Sequence, residues 1–347
     1  MNVKNWLFLL CSALLGTSAC ECGKGKDIPD VSAIPVQVTI KRFEQDLFKL
    51  DTLDMATGLA SLESEYPEFS DIFFEKILGS KDSRIAPEGH EEYVRGFVTH
   101  PAIRHLYDTC TVMYPDLKKL QSELEQAFRF YKYHFPLEPL SGEVVTFISE
   151  YTVGGFLYGD NAVAIGLDFY LGENYPYVQY NPGNPNFSQY LTRTFNRDHI
   201  VMKTMKLLVD DLLGPPTGNR LVDHIVHNGK QLYILDQLLP YTPDSVKLEY
   251  SQKQVEWSVA NESNIWAYFI SENLLYSTDW GKFRKYVEPS PHSPGMPDDA
   301  PGRTGNWLGL QIVNAYMKKN PGTSLADLIL LQDTQAILDK SKYKPAR

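Results

Sequence analysis

The chain has 347 residues, and 33 Lys and Arg against 43 Asp and Glu leave a formal net charge of −10. Apolar residues make up 43%, enough for a core and too many for a disordered chain, and the length allows one large domain or two ordinary ones. The acidic balance argues against a nucleic-acid binder, which needs a basic face, and a single N-terminal apolar segment excludes a polytopic membrane protein.

Lys4 gives the chain a positive start, Trp6 to Leu15 form an apolar stretch, and Gly16, Thr17, Ser18 and Ala19 bring small residues up to Cys20. That is the layout of a secretory signal, too short for a spanning helix of about 20 apolar residues. Because the small residues end on a cysteine, the segment resembles a bacterial lipoprotein signal. The resemblance implies a signal peptide over 1–19 and acyl chains on Cys20; an ordinary secretory signal with an incidental cysteine is the alternative. Each buried CH₂ contributes about 0.8 kcal/mol, so several chains anchor stably. Of the four cysteines, Cys11 leaves with the signal and Cys20 is lipidated. Cys22 and Cys110 are far apart in sequence, so no disulfide is expected, and no Cys/His zinc spacing is present.

Residues 20–35 are polar, with Gly and Pro and no apolar period, and predict a tether; 36–347 follow as a single domain. Val36 to Phe43 alternate, predicting a short strand that leads into a helix. The pattern is then helical to His134, with Leu117, Leu120, Leu124, Ala127, Phe128 and Tyr131 recurring every three or four residues as a core face. The period changes at 144–149 and 161–172, both β-branched runs that predict strands, the second with a bend at Gly166. The loop 175–186 carries Tyr175, Tyr177 and Tyr180, read as loop packing or as an exposed aromatic surface. Helices are predicted over 197–213 and 221–239, the latter with Gly229 inside it. Ser251 to Gln254 form a capping box opening another helix, and 262–275 continue the helical pattern. The Pro- and Gly-rich stretch 289–305 predicts an exposed loop, and helices at 307–317 and 324–337 close the chain. The expected fold is α+β: mostly helical, with a small sheet packed on helices.

The segments DVSAIPVQVTIKRFEQDLF, AVAIGLDFYLG, LVDHIVHNGKQLYILDQLLP, ESNIWAYFISENLLYSTD and PGRTGNWLGLQIVNAYM resemble, in that order, the gliding-motility lipoprotein GldB family of Bacteroidetes. The resemblance covers nearly the whole mature chain. It implies an envelope lipoprotein linked to gliding or to the associated protein-secretion machinery, with envelope or secretion-complex proteins as partners and no nucleic acid. It implies anchoring in the outer membrane; ECGKGKD has no acidic-rich surface signal, which favours the periplasmic face.

The family is in turn similar to zinc-dependent proteases of the HExxH type, which implies a zincin or gluzincin-like scaffold. Those enzymes place two imidazoles one turn apart, a Glu as general base, and a Glu from the next helix as third ligand. Aligned on His199, this chain has Ile200 for the base, Lys203 for the second His, and Asn228 before Gly229 in place of the third ligand. No His-Glu-x-x-His occurs anywhere in it. The expectation is a non-catalytic pseudo-metallopeptidase with no cofactor, in which strand 161–171 forms the edge of a peptide cleft lined by helix 197–213. Two alternatives remain open. His199, His224 and His227 could hold zinc in an active metallopeptidase with unusual ligands, or the Tyr-rich loop could bind glycans. Asp210, Asp211 and Asp223 read as solvated helix charges or caps, and neither a G-x-S-x-G elbow nor a phosphate-binding loop is present.

Overall fold

The alternation in Val36 to Phe43 makes β1 (Thr39–Arg42), which runs directly into α1 (Phe43–Phe48). The computed structural model describes residues 28–180 and 182–346; the signal segment, Cys20, Cys22 and the tether up to residue 27 lie outside the described residues. The compact unit spans Val31–Arg347, so Val31 to Pro35 of the stretch read as a tether belong to it, with the Val31 side chain buried.

The helical first half consists of α2 (Met55–Glu65), α3 (Pro67–Ile72), a π turn over Phe73–Ile77, α4 (His90–Thr99), α5 (Pro101–Met113) and α6 (Lys118–His134). Leu120, Leu124, Ala127, Phe128 and Tyr131 of the α6 stripe are all buried, as their spacing requires. The aromatic core forms where α1 and α3 meet the sheet. Phe43 lies 4.7 Å from Phe69 and 4.8 Å from Phe73, ring to ring, and Phe69 lies 5.6 Å from Phe147. Each such side chain, fully buried, stabilises by about 1.5–3 kcal/mol.

The sheet has four strands in the order β1-β2-β4-β3. β2 (Glu143–Phe147) pairs in parallel with β1 and with β4 (Ala162–Gly166), and β3 (Gly155–Tyr158) pairs antiparallel with β4. Two expectations are corrected here. The run 161–172 does not continue as one strand: it leaves the sheet after Gly166 as a 3₁₀ turn over Leu167–Tyr170. The Asp168 carboxylate accepts the backbone N–H groups of Ser149 and Tyr151 at 3.1 and 2.7 Å, which turns the chain back on the 149–151 corner. Nor is this strand an edge. β4 lies inside the sheet, and the edge beside it is β3, a four-residue strand that opens on Gly155.

The second half follows α7 (Tyr177–Tyr180) and α8 (Gln189–Thr192) with α9 (Ile200–Leu213), α10 (Leu221–Leu238), α11 (Asp244–Lys247), α12 (Gln252–Ala260), α13 (Glu262–Ser271) and α14 (Trp280–Phe283). α15 (Thr304–Lys319), α16 (Leu325–Leu330) and α17 (Thr334–Ser341) close it. The Ser251 box is realised: its hydroxyl accepts from the Gln254 N–H at 3.2 Å, and the Gln254 side chain accepts from the Ser251 N–H at 3.0 Å. The expected helix 324–337 is instead two, interrupted between Leu330 and Thr334. The stretch 289–305 is exposed only in part, because Ser293, Ala300 and Thr304 are buried and Ser293 Oγ lies 2.7 Å from Thr304 Oγ1.

α10 and α15 cross at close range through two glycines. A Cβ on Gly229 would come within 2.3 Å of the Gly309 backbone, and one on Gly309 within 1.9 Å of the Ile225 carbonyl oxygen. The glycine inside α10 therefore serves helix packing.

Candidate functional site

His199 ends a 3₁₀ turn over Arg197–His199, and Lys203 follows one turn along on α9. The i, i+4 spacing puts both on one helix face. His199 is buried, with Nδ1 2.9 Å from Asn196 Oδ1. Burial first, and the neighbouring Lys203 charge second, push its pKa down to about 4, so the imidazole is neutral at neutral pH.

Lys203 Nζ donates to Thr194 Oγ1 at 2.9 Å, lies 4.8 Å from the centre of the Phe195 ring, and stands 3.5 Å from Glu249 Oε1. Glu249 is absent from the motif reading. It comes from the corner between α11 and α12, where it adopts a left-handed backbone with φ 53°. Its other oxygen accepts from Arg303 Nη1 at 2.7 Å, and Arg303 too is left-handed, with φ 61°, as it starts α15. Two non-glycine residues in this costly conformation thus meet in one ion pair. Arg303 Nη2 also donates to the Leu248 carbonyl at 3.0 Å, and Arg193 Nη2 to the Glu249 carbonyl at 2.8 Å. Burial alone would raise the Glu249 carboxyl; the Arg303 and Lys203 charges outweigh it and hold its pKa at about 2.

Lys203 and Glu249 line a hollow of about 350 Å³ between α9 and the β3–β4 side of the sheet. Gly154, Gly155, Phe169, Phe195 and Leu207 form its apolar wall, and Lys206, paired with Asp210 at 2.6 Å, lies along the same groove. A cleft bounded by helix 197–213 is therefore present, and the run 161–171 lines it through Ala164, Ile165, Phe169 and Tyr170, with Gly155 of the edge strand β3 beside them. A second hollow, of about 410 Å³, lies among α6, the start of α9 and the end of α10. Arg197 and Asp198 reach it, whereas His199, Lys203 and Glu249 do not.

The other residues singled out from sequence are elsewhere. Asn228 Nδ2 donates to Asn306 Oδ1 at 2.8 Å and to the Val287 carbonyl at 3.4 Å, tying α10 to the start of α15. It does not stand in for a third ligand; the carboxylate facing Lys203 is Glu249. His224 packs 5.0 Å from the Trp280 ring and 5.6 Å from Phe283. His227 has its pKa lowered to about 4 by burial and by Lys230. Among the described residues no group of three His, Cys, Asp or Glu side chains is placed to hold a metal ion, so the trio His199, His224 and His227 is not assembled. Asp223 is a cap, as read, but a buried one: it accepts from Arg220 Nη2 at 2.7 Å and from Thr334 Oγ1 at the α10 N-terminus. In the Tyr-rich loop Tyr177 is buried and its hydroxyl donates to the Asp168 carbonyl at 2.8 Å. The Tyr175 hydroxyl lies 2.5 Å from that of Tyr151, and Tyr180 donates to Glu150 at 2.7 Å. These tyrosines pack the corner beside the groove. Cys110 is a buried free thiol in α5.

Glu249 could not be found from spacing, because it reaches Lys203 from a turn more than forty positions away. The only sequence signal is indirect: a Lys on the apolar face of a helix requires a partner somewhere.

Fold and site together define an α+β domain with a short mixed sheet, one open antiparallel edge, and an ion-paired groove between that edge and a helix. Among the described residues no helix is long and apolar enough to cross a membrane. The family model described as gliding motility protein GldB matches residues 24–345, and the chain belongs to that family, a lipoprotein family associated with gliding motility. No curated protein and no solved structure matches it.

Proposed function

We propose that this protein is a lipid-anchored component of the bacterial envelope that uses a protease-like frame to bind extended peptides without cleaving them, in the service of gliding or the associated secretion machinery, or of their envelope counterpart. Lys203 carries this reading. One turn after His199, where a metalloprotease sets its second imidazole, stands an ammonium 3.5 Å from a carboxylate. A fixed cation repels a divalent metal, and a carboxylate held at about 2 is a poor acceptor for a proton from water near neutral pH. The free edge of β3 supports the binding half of the reading. Gly154 O accepts from Gly166 N at 3.0 Å, so antiparallel alternation turns the backbone groups of Gly155 and Leu157 away from β4. Adding a strand to such an edge gives affinity through main-chain hydrogen bonds and needs no metal. On this reading Cys20 carries the acyl chains, in the outer membrane with the periplasmic face favoured.

The test has two parts. The purified protein should contain no stoichiometric zinc by elemental analysis and should leave an unfolded casein substrate intact. One zinc per chain together with chelator-sensitive hydrolysis would overturn the non-catalytic reading. In cells, Cys20→Ser should remove palmitate labelling and release the protein from the membrane fraction; undiminished labelling would refute the anchor.

A further inference from the structure

The charges around Glu249 do not balance. Lys203 and Arg303 share the Glu249 carboxylate and Arg193 stands at the same residue's backbone carbonyl, a local excess of positive charge in a chain whose formal net charge is −10. Arg303 holds Glu249 Oε2 at 2.7 Å and leaves Lys203 the looser contact of 3.5 Å. Arg193 Nη2 reaches the Glu249 backbone carbonyl, and its Nε is buried without a hydrogen-bond partner among the described residues. Lys203 offers three protons; Thr194 takes one at 2.9 Å, and the ammonium faces the groove. The groove has the size of a small-ligand pocket, about 350 Å³, and two hollows that adjoin it at Glu249, of about 10 and 30 Å³, hold little more than a water each. Buried Tyr170 and Tyr250 back that end. Neither adjoining hollow has room for a peptide to continue past Glu249.

We propose that the groove captures the free C-terminal carboxylate of an extended peptide, with the carboxylate on Lys203 and the preceding apolar residues against β3, Phe169 and Phe195. This rests on the peptide-binding reading above and adds to it which part of the peptide is recognised. A carboxylate arriving there completes the neutralisation that Glu249 leaves unfinished, through a charge-assisted hydrogen bond in a partly buried site.

The experiment is fluorescence anisotropy on the full mature chain in detergent, with N-terminally labelled hexapeptides randomised over Val, Ile, Thr and Phe. They are made as free acids, as C-terminal amides, and as amides carrying one internal Glu. Free acids should bind about tenfold or more tightly than amides, the worth of one charged hydrogen bond. Lys203→Met should abolish the difference and Lys203→Arg restore most of it. Amides binding as tightly as acids, or a difference that survives Lys203→Met, would overturn the proposal. Tight binding by internal-Glu amides would keep Lys203 as a carboxylate site but overturn the chain-end assignment. Leu157→Pro, which removes an outward N–H of the edge strand, separates the two claims: if amides and acids bind equally and Leu157→Pro weakens both, the strand-addition reading stands without the carboxylate. If no hexapeptide binds, both fall.

Discussion

At the scale of single residues, the site is governed by what burial does to charge. Among the described residues Glu249 is the only carboxylate shared by Lys203 and Arg303, and breaking a partly buried pair costs more than the pair contributes, because it strands the remaining charge. Glu249→Gln should therefore lower stability by about 1.5–3 kcal/mol in urea titrations, and Lys203→Met in the same chain should recover part of that loss; strict additivity of the two would show that they do not couple. The histidines and Asp168 carry opposite pH signatures. His199 and His227 are held at about 4, below their usual 6.5. Their contribution to stability is complete above about 6.5 and is lost as pH falls toward 4. Asp168 is fully buried, one of its oxygens has no hydrogen-bond partner among the described residues, and burial raises its pKa to about 6 against the pull of its backbone hydrogen bonds. Its contribution is complete below about 3.8 and is lost as pH rises through 6. Melting temperatures from pH 4 to 7 should accordingly fall less on the acid side for His199→Gln than for the parent chain, whereas Asp168→Asn should gain on the parent as pH rises. Parallel curves would mean that neither group titrates in that window.

At the scale of elements, the contact between α10 and α15 gives a prediction whose sign separates packing from propensity. Alanine is favoured over glycine inside a helix by about 1 kcal/mol. At Gly229 and Gly309 a Cβ meets backbone, which cannot swing aside. Gly229→Ala and Gly309→Ala should each destabilise by about 1–3 kcal/mol, read as a lower urea midpoint; a raised midpoint would show that the helices separate at little cost. Elements also show what local sequence encodes. The α6 stripe, the Ser251 box and the breaks around 214–219 are visible in sequence because spacing, capping and proline act within a few residues. β3 was invisible for the complementary reason. Gly155 to Tyr158 have no strand-like alternation bounded by turns, and become a strand only because β4 offers an edge to pair with. The same holds for Gly166, where the chain leaves the sheet because Asp168 finds its partners at Ser149 and Tyr151.

At the scale of the whole molecule, the sheet ties the two ends of the helical first half together. Thr39 of β1 pairs with Glu143 of β2, and Thr146 Oγ1 donates to Glu44 Oε2 at 2.7 Å. A chain beginning at Phe43 lacks β1 and uncovers one side of β2, whereas one beginning at Val31 retains the compact unit. The first truncation should lose cooperative thermal unfolding and the second should keep it, as measured by circular dichroism; cooperative melting of both would show that β1 is dispensable. The sequence alone determined the helix-dominated α+β class, the family through its ordered segments, and the spacing of His199 and Lys203 on one helix face, since all of these depend on neighbours along the chain. Which carboxylate meets Lys203, which strand stands at the edge of the groove, and that Asn228 and the other two imidazoles point elsewhere were decided by tertiary structure. Those contacts join residues dozens of positions apart, and a buried charge takes whatever partner the folded backbone brings within reach.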